Sequence, residues 1–258
     1  MGDCLASVQW ADQIVVVDAE SEDETVRIAR EYTPHVFVQP WEGFGAAKNF
    51  ALQQCDREWV LWLDADERVT PELAEEIQKN VRSTDCAGFE MPRLAYFLGR
   101  WIRHGGWYPG WVLRLFRRNA GKFNEKKVHE GLVVQGKIGR LRNHLLHYTD
   151  RTIAHYFNKF NRYTSLAAQQ LDEENVRFHL RDLLFRPPYM FLRMYFLKRG
   201  FLDGLQGFIL AAFSASYVLA KYAKLWEIQR HPGQQGPEAR RGISSENARV
   251  SEKLMPLN

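Results

Sequence analysis

Three aspartates stand where the sequence could place chemistry. Asp18 follows the apolar run at 14–17, while Asp64 and Asp66 follow the apolar run at 59–63. Ligands of open α/β sheets bind beyond the carboxyl ends of the strands, so we expect these carboxylates at that edge. An Asp-x-Asp pair there can hold Mg²⁺ or Mn²⁺ and, with it, a diphosphate. Because aspartate is also common in turns, the residues alone leave a solvated turn open.

The elements that must position these aspartates alternate between strand and helix patterns over the first ninety residues. Strands are predicted at 14–17, 35–39 and 59–63, and helices at 21–32, at 46–55 and from residue 71 onward. Ser21 and Glu24 have the spacing of a capping box, and Thr70 before Pro71 is typical of a helix start. The order predicts an α/β fold with a Rossmann-like, mostly parallel sheet and flanking helices.

Composition narrows the class of protein. The 258 residues are 45% apolar and 26% charged, which excludes a disordered chain. Three scattered cysteines exclude a disulfide scaffold and a CxxC zinc site. His144 and His147 face opposite sides of a predicted strand, so we expect no zinc pair there. Residues 1–86 hold 18 of the 31 acidic residues, whereas residues 87–142 are basic. The basic part suits phosphate or lipid headgroups, and the acidic part argues against nucleic acid.

The C-terminal half carries a possible membrane signal. Seventeen residues between Asp203 and Lys221 have no formal charge, which is at the short end of a membrane span. Aromatic residues with flanking cations at 186–199 suit a bilayer interface. We predict membrane-associating helices at 151–228, a first domain at 1–150 and a disordered polar tail at 229–258. A helix packed in the core and a true span are the alternatives.

Several motifs together resemble the family 2 glycosyltransferases of GT-A fold, over about residues 3–228. The early motifs are CLASV at 4–8, IVVVD at 14–18, GFGAAKN at 43–49 and LDAD at 63–66. The later ones resemble a bacterial branch that includes lipopolysaccharide core glucosyltransferases. They are WVLRLFRR at 111–118, VHE at 128–130, HY at 147–148 and GFLDG at 200–204.

The resemblance implies an inverting enzyme that moves a hexose, glucose first of all, from a UDP-sugar to a lipid-linked saccharide in lipopolysaccharide core biosynthesis. It implies Mg²⁺ or Mn²⁺ as cofactor and peripheral association with the cytoplasmic face of the inner membrane. The family normally opens with a β-strand and an Asn-Glu loop, which this chain lacks before its first helix. The alternative is therefore an N-terminally truncated, silent protein that binds nucleotide or saccharide at the membrane.

The resemblance also implies roles for single residues of the donor site. Asp18 would accept a hydrogen bond from uracil, and Lys48 would lie near the phosphates. Asp64 would face the ribose or the sugar, and Asp66 would bind the metal ion. A turn residue at Asp18 and an exposed helix lysine at Lys48 are the other interpretations.

Inversion requires a base that accepts the proton of the attacking hydroxyl. Glu130 matches the family's late acidic motif, and we predict it as this base; a counter-charge for Arg114 or Arg117 is the alternative. Those two arginines are predicted to bind phosphates of the acceptor or of UDP. Trp111 is predicted to stack on a sugar ring.

Overall fold

The structure is a computed structural model that describes residues 1–124, 131–150 and 152–230, without the side chain of Asp150. The described residues form two compact units. The first unit holds residues 1–93 and 110–147, and the second holds 94–109 and 148–230. Residues 94–109, which the predicted domain 1–150 includes, thus group with the helical unit. Most of the predicted tail, from residue 231, lies outside the described residues.

The first unit contains helices and mostly short strands. Its helices are α1 (Gly2–Ala6), α2 (Thr25–Arg30), α3 (Phe44–Gln54) and α4 (Pro71–Arg82). Its strands are β1 (Val16–Asp18), β2 (Val36–Val38), β3 (Trp59–Leu61), β4 (Glu67–Val69), β7 (Gly110–Arg117), β8 (Gly121–Phe123), β9 (Leu132–Val134) and β10 (Ile138–Arg140). Two further strands, β5 (Gly88–Phe97) and β11 (Leu145–Asp150), begin here and end in the second unit.

The predicted α/β architecture is confirmed, but the sheet is not mostly parallel. β1 and β2 form a parallel pair, and β10 runs parallel to β5. A seven-stranded sheet contains the order β3-β7-β5-β11-β4, in which the pairs β3–β7, β5–β7 and β4–β11 are antiparallel. These antiparallel pairs were not predicted from the sequence. Strands β4 and β7 are not joined to the early strands by crossover helices, and such helices are what make two strands pair in parallel.

Two predicted helix starts have different outcomes. Helix α4 begins at Pro71 as predicted, and the Thr70 hydroxyl accepts a hydrogen bond from Leu73 N at 3.2 Å. The capping box at Ser21 is wrong, because α2 begins at Thr25 after the N-cap Glu24. Ser21 N donates instead to the Asp18 carboxylate at 2.8 Å. The aspartate at the end of β1 therefore stabilises a turn at Ser21, and the helix begins further along the chain.

The first unit packs around the inner faces of α4 and the large sheet. Leu73 and Ile77 of α4 are buried, one helical turn apart, against Met91 of β5, Leu115 of β7 and Leu145 of β11. Residues that recur every three or four positions lie on one side of a helix, which explains why α4 could be predicted from its pattern. This core lies under the loop that carries Asp64 and Asp66.

The second unit is mainly helical. It contains β6 (Arg100–Ile102), α5 (Ile153–Glu173), α6 (Leu180–Leu192), a π-helical turn (Arg193–Leu197), a 3₁₀ turn (Gly200–Asp203) and α7 (Gly204–Arg230). One cluster packs Phe97 and Tyr156 against Leu210, and another packs Ala168 against Val218 and Leu225. One side of α7 therefore faces α5 and α6, which run beside it.

One segment of the described chain, Gly200–Arg230, is long and apolar enough to cross a membrane by length and composition. Only a third of its most apolar window is buried within the protein. The core helix of a soluble protein can pass the same test of length and composition.

Candidate active site around the Asp64–Asp66 turn

The Asp-x-Asp motif forms a tight turn between β3 and β4. Glu67 N donates to Asp64 O at 2.9 Å, and Asp64 N donates to the Glu67 carboxylate at 3.1 Å. Before the turn, Trp62 N donates to Arg114 O at 3.0 Å, which fastens the end of β3 to β7. The motif is thus a turn and, at the same time, a mount for carboxylates at a strand end.

Arg114 lies beneath this turn and is completely buried. Its Nη2 donates to Asp64 Oδ2 and to Glu67 Oε1, both at 2.5 Å. Burial opposes the charge, but the carboxylates of Asp64 and Glu67 outweigh it and raise the pKa of the guanidinium above its ordinary value. The prediction that Arg114 binds a phosphate is therefore corrected: it has no exposed surface, and its charge compensates two buried acids.

Asp66 has a different environment from Asp64. Its Oδ2 lies 3.1 Å from His147 Nε2, whereas its Oδ1 is buried and accepts no hydrogen bond from the described residues. A buried carboxylate oxygen without a partner is costly, so it marks a place where a ligand can bind. The sequence analysis missed His147 as a site residue. The β4–β11 register brings it in, since it places His147 opposite Glu67.

Among the described residues, Asp66 is the acid of the turn that no guanidinium group compensates. Arg114 pairs with Asp64 and Glu67, and Arg93 Nη1 lies 3.6 Å from Glu67 Oε1. Three carboxylates thus face two guanidinium groups. No group of three metal-ligating side chains surrounds one point in the described ranges. The residues still fit Mg²⁺ or Mn²⁺, because such ions are often held by one or two protein ligands together with substrate phosphates and water.

Lys48 approaches the turn from α3. Its Nζ lies 4.3 Å from the centroid of the Trp62 ring, and the Arg114 guanidinium carbon lies 3.6 Å from that ring. Gly43 is the N-cap of α3 with φ of 110°, a conformation that side chains disfavour. Next to Lys48, the Asn49 side chain exchanges two hydrogen bonds with the backbone of Phe123 on β8. Glycine and asparagine in this motif thus fix the start and position of α3.

Asp18 lies at the end of β1 and is buried. Its backbone oxygen accepts a hydrogen bond from Gln39 N at 2.9 Å, and its carboxylate accepts the bond from Ser21 N. The turn interpretation of Asp18 is thereby realised. The second carboxylate oxygen is the group that the predicted contact with uracil would use.

Two further predicted site residues, Arg117 and Trp111, lie on β7. Arg117 donates to Thr84 O at 3.0 Å and to Cys86 O at 3.2 Å and pairs with Glu58, so it fastens the start of β5; its phosphate-binding role stays a prediction. Trp111 is exposed on β7, with the Arg140 guanidinium 4.7 Å from its ring. Glu130, the predicted base, lies outside the described residues.

A buried thiol completes the inner side of the turn. Cys4 Sγ donates to Asp64 O at 3.5 Å. Burial and the nearby carboxylates, Glu67 first among them, raise the pKa of Cys4 to about 12. The thiol therefore stays neutral and adds no charge to the turn at neutral pH.

Comparison with known proteins identifies similar chains. The family model "Glycosyl transferase family 2" matches residues 2–149. The chain is 35% identical over 244 residues to the lipopolysaccharide core biosynthesis glycosyltransferase LpsC of Rhizobium meliloti, covering 90% of this chain and 88% of that protein. It is 30% identical to an uncharacterized glycosyltransferase of Rickettsia typhi, covering 84% of this chain and 78% of that protein.

Among solved structures, S. aureus TarS 1-349 in complex with UDP-GlcNAc matches with a TM-score of 0.43 and 16% identity, covering 93% of this chain and 87% of that one. The family match spans the Asp18, Lys48 and Asp64–Asp66 regions, and the relative at 35% identity extends the likeness over the second unit. This chain is a member of glycosyltransferase family 2.

Proposed function

We propose that this glycosyltransferase moves a hexose, glucose as the first candidate, from a UDP-sugar to a lipid-linked saccharide with inversion at the anomeric carbon. The observation that carries the proposal is the charge pattern of the turn. Asp64 is compensated by Arg114, while Asp66 keeps a buried oxygen that has no partner among the described residues. Such a carboxylate suits a divalent cation that also binds a diphosphate.

The residues divide the work of the donor site. Asp66, with His147 beside it, would hold Mg²⁺ or Mn²⁺, and the negative charge of the leaving diphosphate would be compensated there. Asp64 would accept a hydrogen bond from the ribose or the sugar, since Arg114 already balances its charge. Asp18 would accept one from uracil, and Lys48 would lie near the phosphates.

The acceptor side rests on two further residues. The Glu130 carboxylate would take the proton from the acceptor hydroxyl. In the same step the hydroxyl oxygen would bond to the anomeric carbon, and the bond from that carbon to the diphosphate would break. Trp111 would stack on a sugar ring of the acceptor. The similarity to a lipopolysaccharide core biosynthesis enzyme supports a saccharide of that pathway as the acceptor. The proposal places the meeting with this acceptor at the cytoplasmic face of the inner membrane.

Calorimetric titration with UDP, with and without Mn²⁺, tests the donor site. We expect binding that strengthens with Mn²⁺ in the parent protein, and no effect of Mn²⁺ in Asp66→Asn. Transfer by that variant should fall on the order of a thousandfold, because the metal supplies several kcal/mol of charge compensation. Asp56→Asn is the matched control, since Asp56 is an exposed acid of the same unit. An Asp66→Asn protein that still responds to Mn²⁺ would contradict the metal site.

Glu130→Gln separates catalysis from donor binding. We expect it to bind UDP like the parent and to transfer sugar far more slowly, by about a hundredfold or more. Full transfer by this variant would exclude Glu130 as the base. If the parent binds UDP but transfers nothing to membrane-extracted acceptor lipids, the alternative of a silent nucleotide-binding protein is favoured.

A further inference from the structure

The second unit exposes a continuous apolar surface at the junction of α6 and α7. We call it the apolar face and define it by Leu192, Phe196, Leu197, Phe201, Leu205 and Phe208. Leu197 and Leu205 are 72% and 69% exposed, and the other four are also exposed. Exposed side chains of this size normally occur singly on a soluble protein, so a cluster marks an interaction site.

Ring contacts show that the three phenylalanines of the apolar face adjoin one another through Phe191 and Tyr195. The Tyr195 ring lies 5.1 Å from Phe196, 6.2 Å from Phe201 and 5.7 Å from Phe208, measured between centroids. Phe191 contacts Phe208 at 5.7 Å from the side of α6. The apolar face therefore joins the end of α6, both irregular turns and the start of α7 into one patch.

The charges around the apolar face have a single sign. Only two acids occur between residues 176 and 226, and both are buried. Asp182 accepts from Arg186 Nε at 2.6 Å, and Asp203 accepts from His104 Nδ1 at 3.0 Å and from two backbone N–H groups. The exposed charges nearby are cations, such as Lys198 and Arg199 beside Leu197.

We propose that the apolar face docks on a bilayer that contains anionic lipids, with its Leu and Phe side chains among the acyl chains and its cations at the headgroups. This rests on the proposed function only in the membrane location of the acceptor. Segments that anchor proteins at a bilayer interface typically combine exposed apolar side chains with neighbouring cations. A second copy of the chain is a poorer occupant, because a symmetric contact would bring like charges together.

The inner side of α7 favours lying on the membrane over crossing it. Gly207, Leu210 and Val218 are buried on one side of the helix. Lys224 Nζ donates to Asn161 O and Thr164 Oγ1, both at 2.8 Å, and so fastens the second half of α7 to α5. A helix held in this way offers the bilayer one side only.

Vesicle sedimentation tests the docking surface. The full chain is mixed with vesicles of phosphatidylcholine alone or with added phosphatidylglycerol. We expect binding to the anionic vesicles, weakened by salt. Leu197→Ser with Leu205→Ser should weaken it about a hundredfold, because two apolar side chains leave the bilayer. Lys198→Gln should weaken it about fivefold on anionic vesicles and leave any binding to phosphatidylcholine unchanged.

Val133→Ser with Ile138→Ser is the matched control, since both residues are exposed and apolar but lie in the first unit. Circular dichroism verifies that each variant is folded. Equal vesicle binding by the parent and the Leu197/Leu205 variant overturns the proposal. So does a parent that binds RNA or forms a dimer through this face and ignores vesicles. UDP titration runs in parallel: UDP binding without vesicle binding refutes the docking surface alone, and the reverse refutes the donor site alone.

Discussion

The two units use buried acids in opposite ways. In the first unit, Asp64 and Glu67 share the buried cation Arg114, and the third acid of the turn, Asp66, keeps an oxygen that has no partner in the described part of the chain. In the second unit, Asp182 and Asp203 are both taken up by internal partners, and the exposed charges around the apolar face are cations. One unit therefore offers a carboxylate to a cation, and the other offers cations to an anionic surface.

This difference shows that the charge that a site presents to a ligand depends on which charged side chains are already paired within the fold. The chain has nearly equal numbers of the two signs, 35 basic and 31 acidic residues. At the turn, Arg114 compensates two of the three carboxylates, and around the apolar face both acids are buried, because a buried charge must be paired to be tolerated. Variants that unpair the buried acids should therefore test the comparison directly.

Arg114→Met should have the largest effect on stability. The substitution leaves the buried carboxylates of Asp64 and Glu67 without their shared cation, which should lower the free energy of unfolding by about 3–5 kcal/mol. Urea denaturation measures it. Adding Glu67→Gln should recover part of the loss, because it removes one unpaired charge. Arg140→Met, which breaks a largely exposed ion pair, should cost about 1 kcal/mol or less. Equal costs for the two arginines would contradict this account of the turn.

Asp203→Asn tests the corresponding acid of the second unit. The amide keeps one oxygen for three donors, namely the backbone N–H groups of Arg103 and His104 and the His104 ring. Hydrogen bonds to a charged group are worth about 1.5–3 kcal/mol, so we expect a loss of about 2 kcal/mol in urea denaturation. Asp172→Asn is the control, because its exposed oxygen accepts only a side-chain bond from Gln229 among the contacts described. No loss at Asp203 would show that this carboxylate is not needed in ionised form.

His147→Asn should weaken metal binding rather than stability. His147 lies against Asp66 Oδ2, and removing such a neighbour typically costs about tenfold or more in metal affinity. Titration of Mn²⁺ followed by electron paramagnetic resonance in the presence of UDP measures the change. His144→Asn is the matched control from the same stretch of chain. A His147→Asn protein with the parent's Mn²⁺ affinity would limit the site to Asp66 and the diphosphate.

The parts of the fold that depend on local sequence could be predicted. Helix α4 follows from its cap at Thr70 and from the spacing of Leu73 and Ile77, and the strand at 16–18 follows from consecutive valines. The start of α2 could not be predicted, because the acceptor that holds Ser21 is the carboxylate of Asp18 in the preceding strand. Local patterns do not show which of two nearby polar groups accepts the hydrogen bond of a backbone N–H.

The candidate site could be predicted only in part, for a similar reason. Asp64 and Asp66 follow a strand and were found from that fact. His147 is 81 residues away from Asp66 and is brought to it by the pairing of β4 with β11, which no local pattern shows. Arg114 was expected to bind phosphates, as arginine often does, yet here the protein's own carboxylates are the anions.

Cys4 provides the smallest expected effect and a test of charge within the turn. Its pKa is raised from 9.0 to about 12, so the folded state disfavours the thiolate. The stability that this gives is present below pH 9 and is lost as the pH rises from 9 toward 12. Replacing Cys4 by alanine should therefore make the fall in the free energy of unfolding smaller, by about 1 kcal/mol between pH 8 and pH 10.

Tyr217→Phe is the comparison in the second unit, where burial raises the pKa of the phenol to about 12 from an ordinary value of 10.0. In the unfolded chain this phenol ionises at a higher pH than the thiol, so its replacement should change the free energy of unfolding less between pH 8 and pH 10. Equal slopes for parent and Cys4→Ala would mean that neither burial nor the carboxylates of the turn raise the pKa of the thiol.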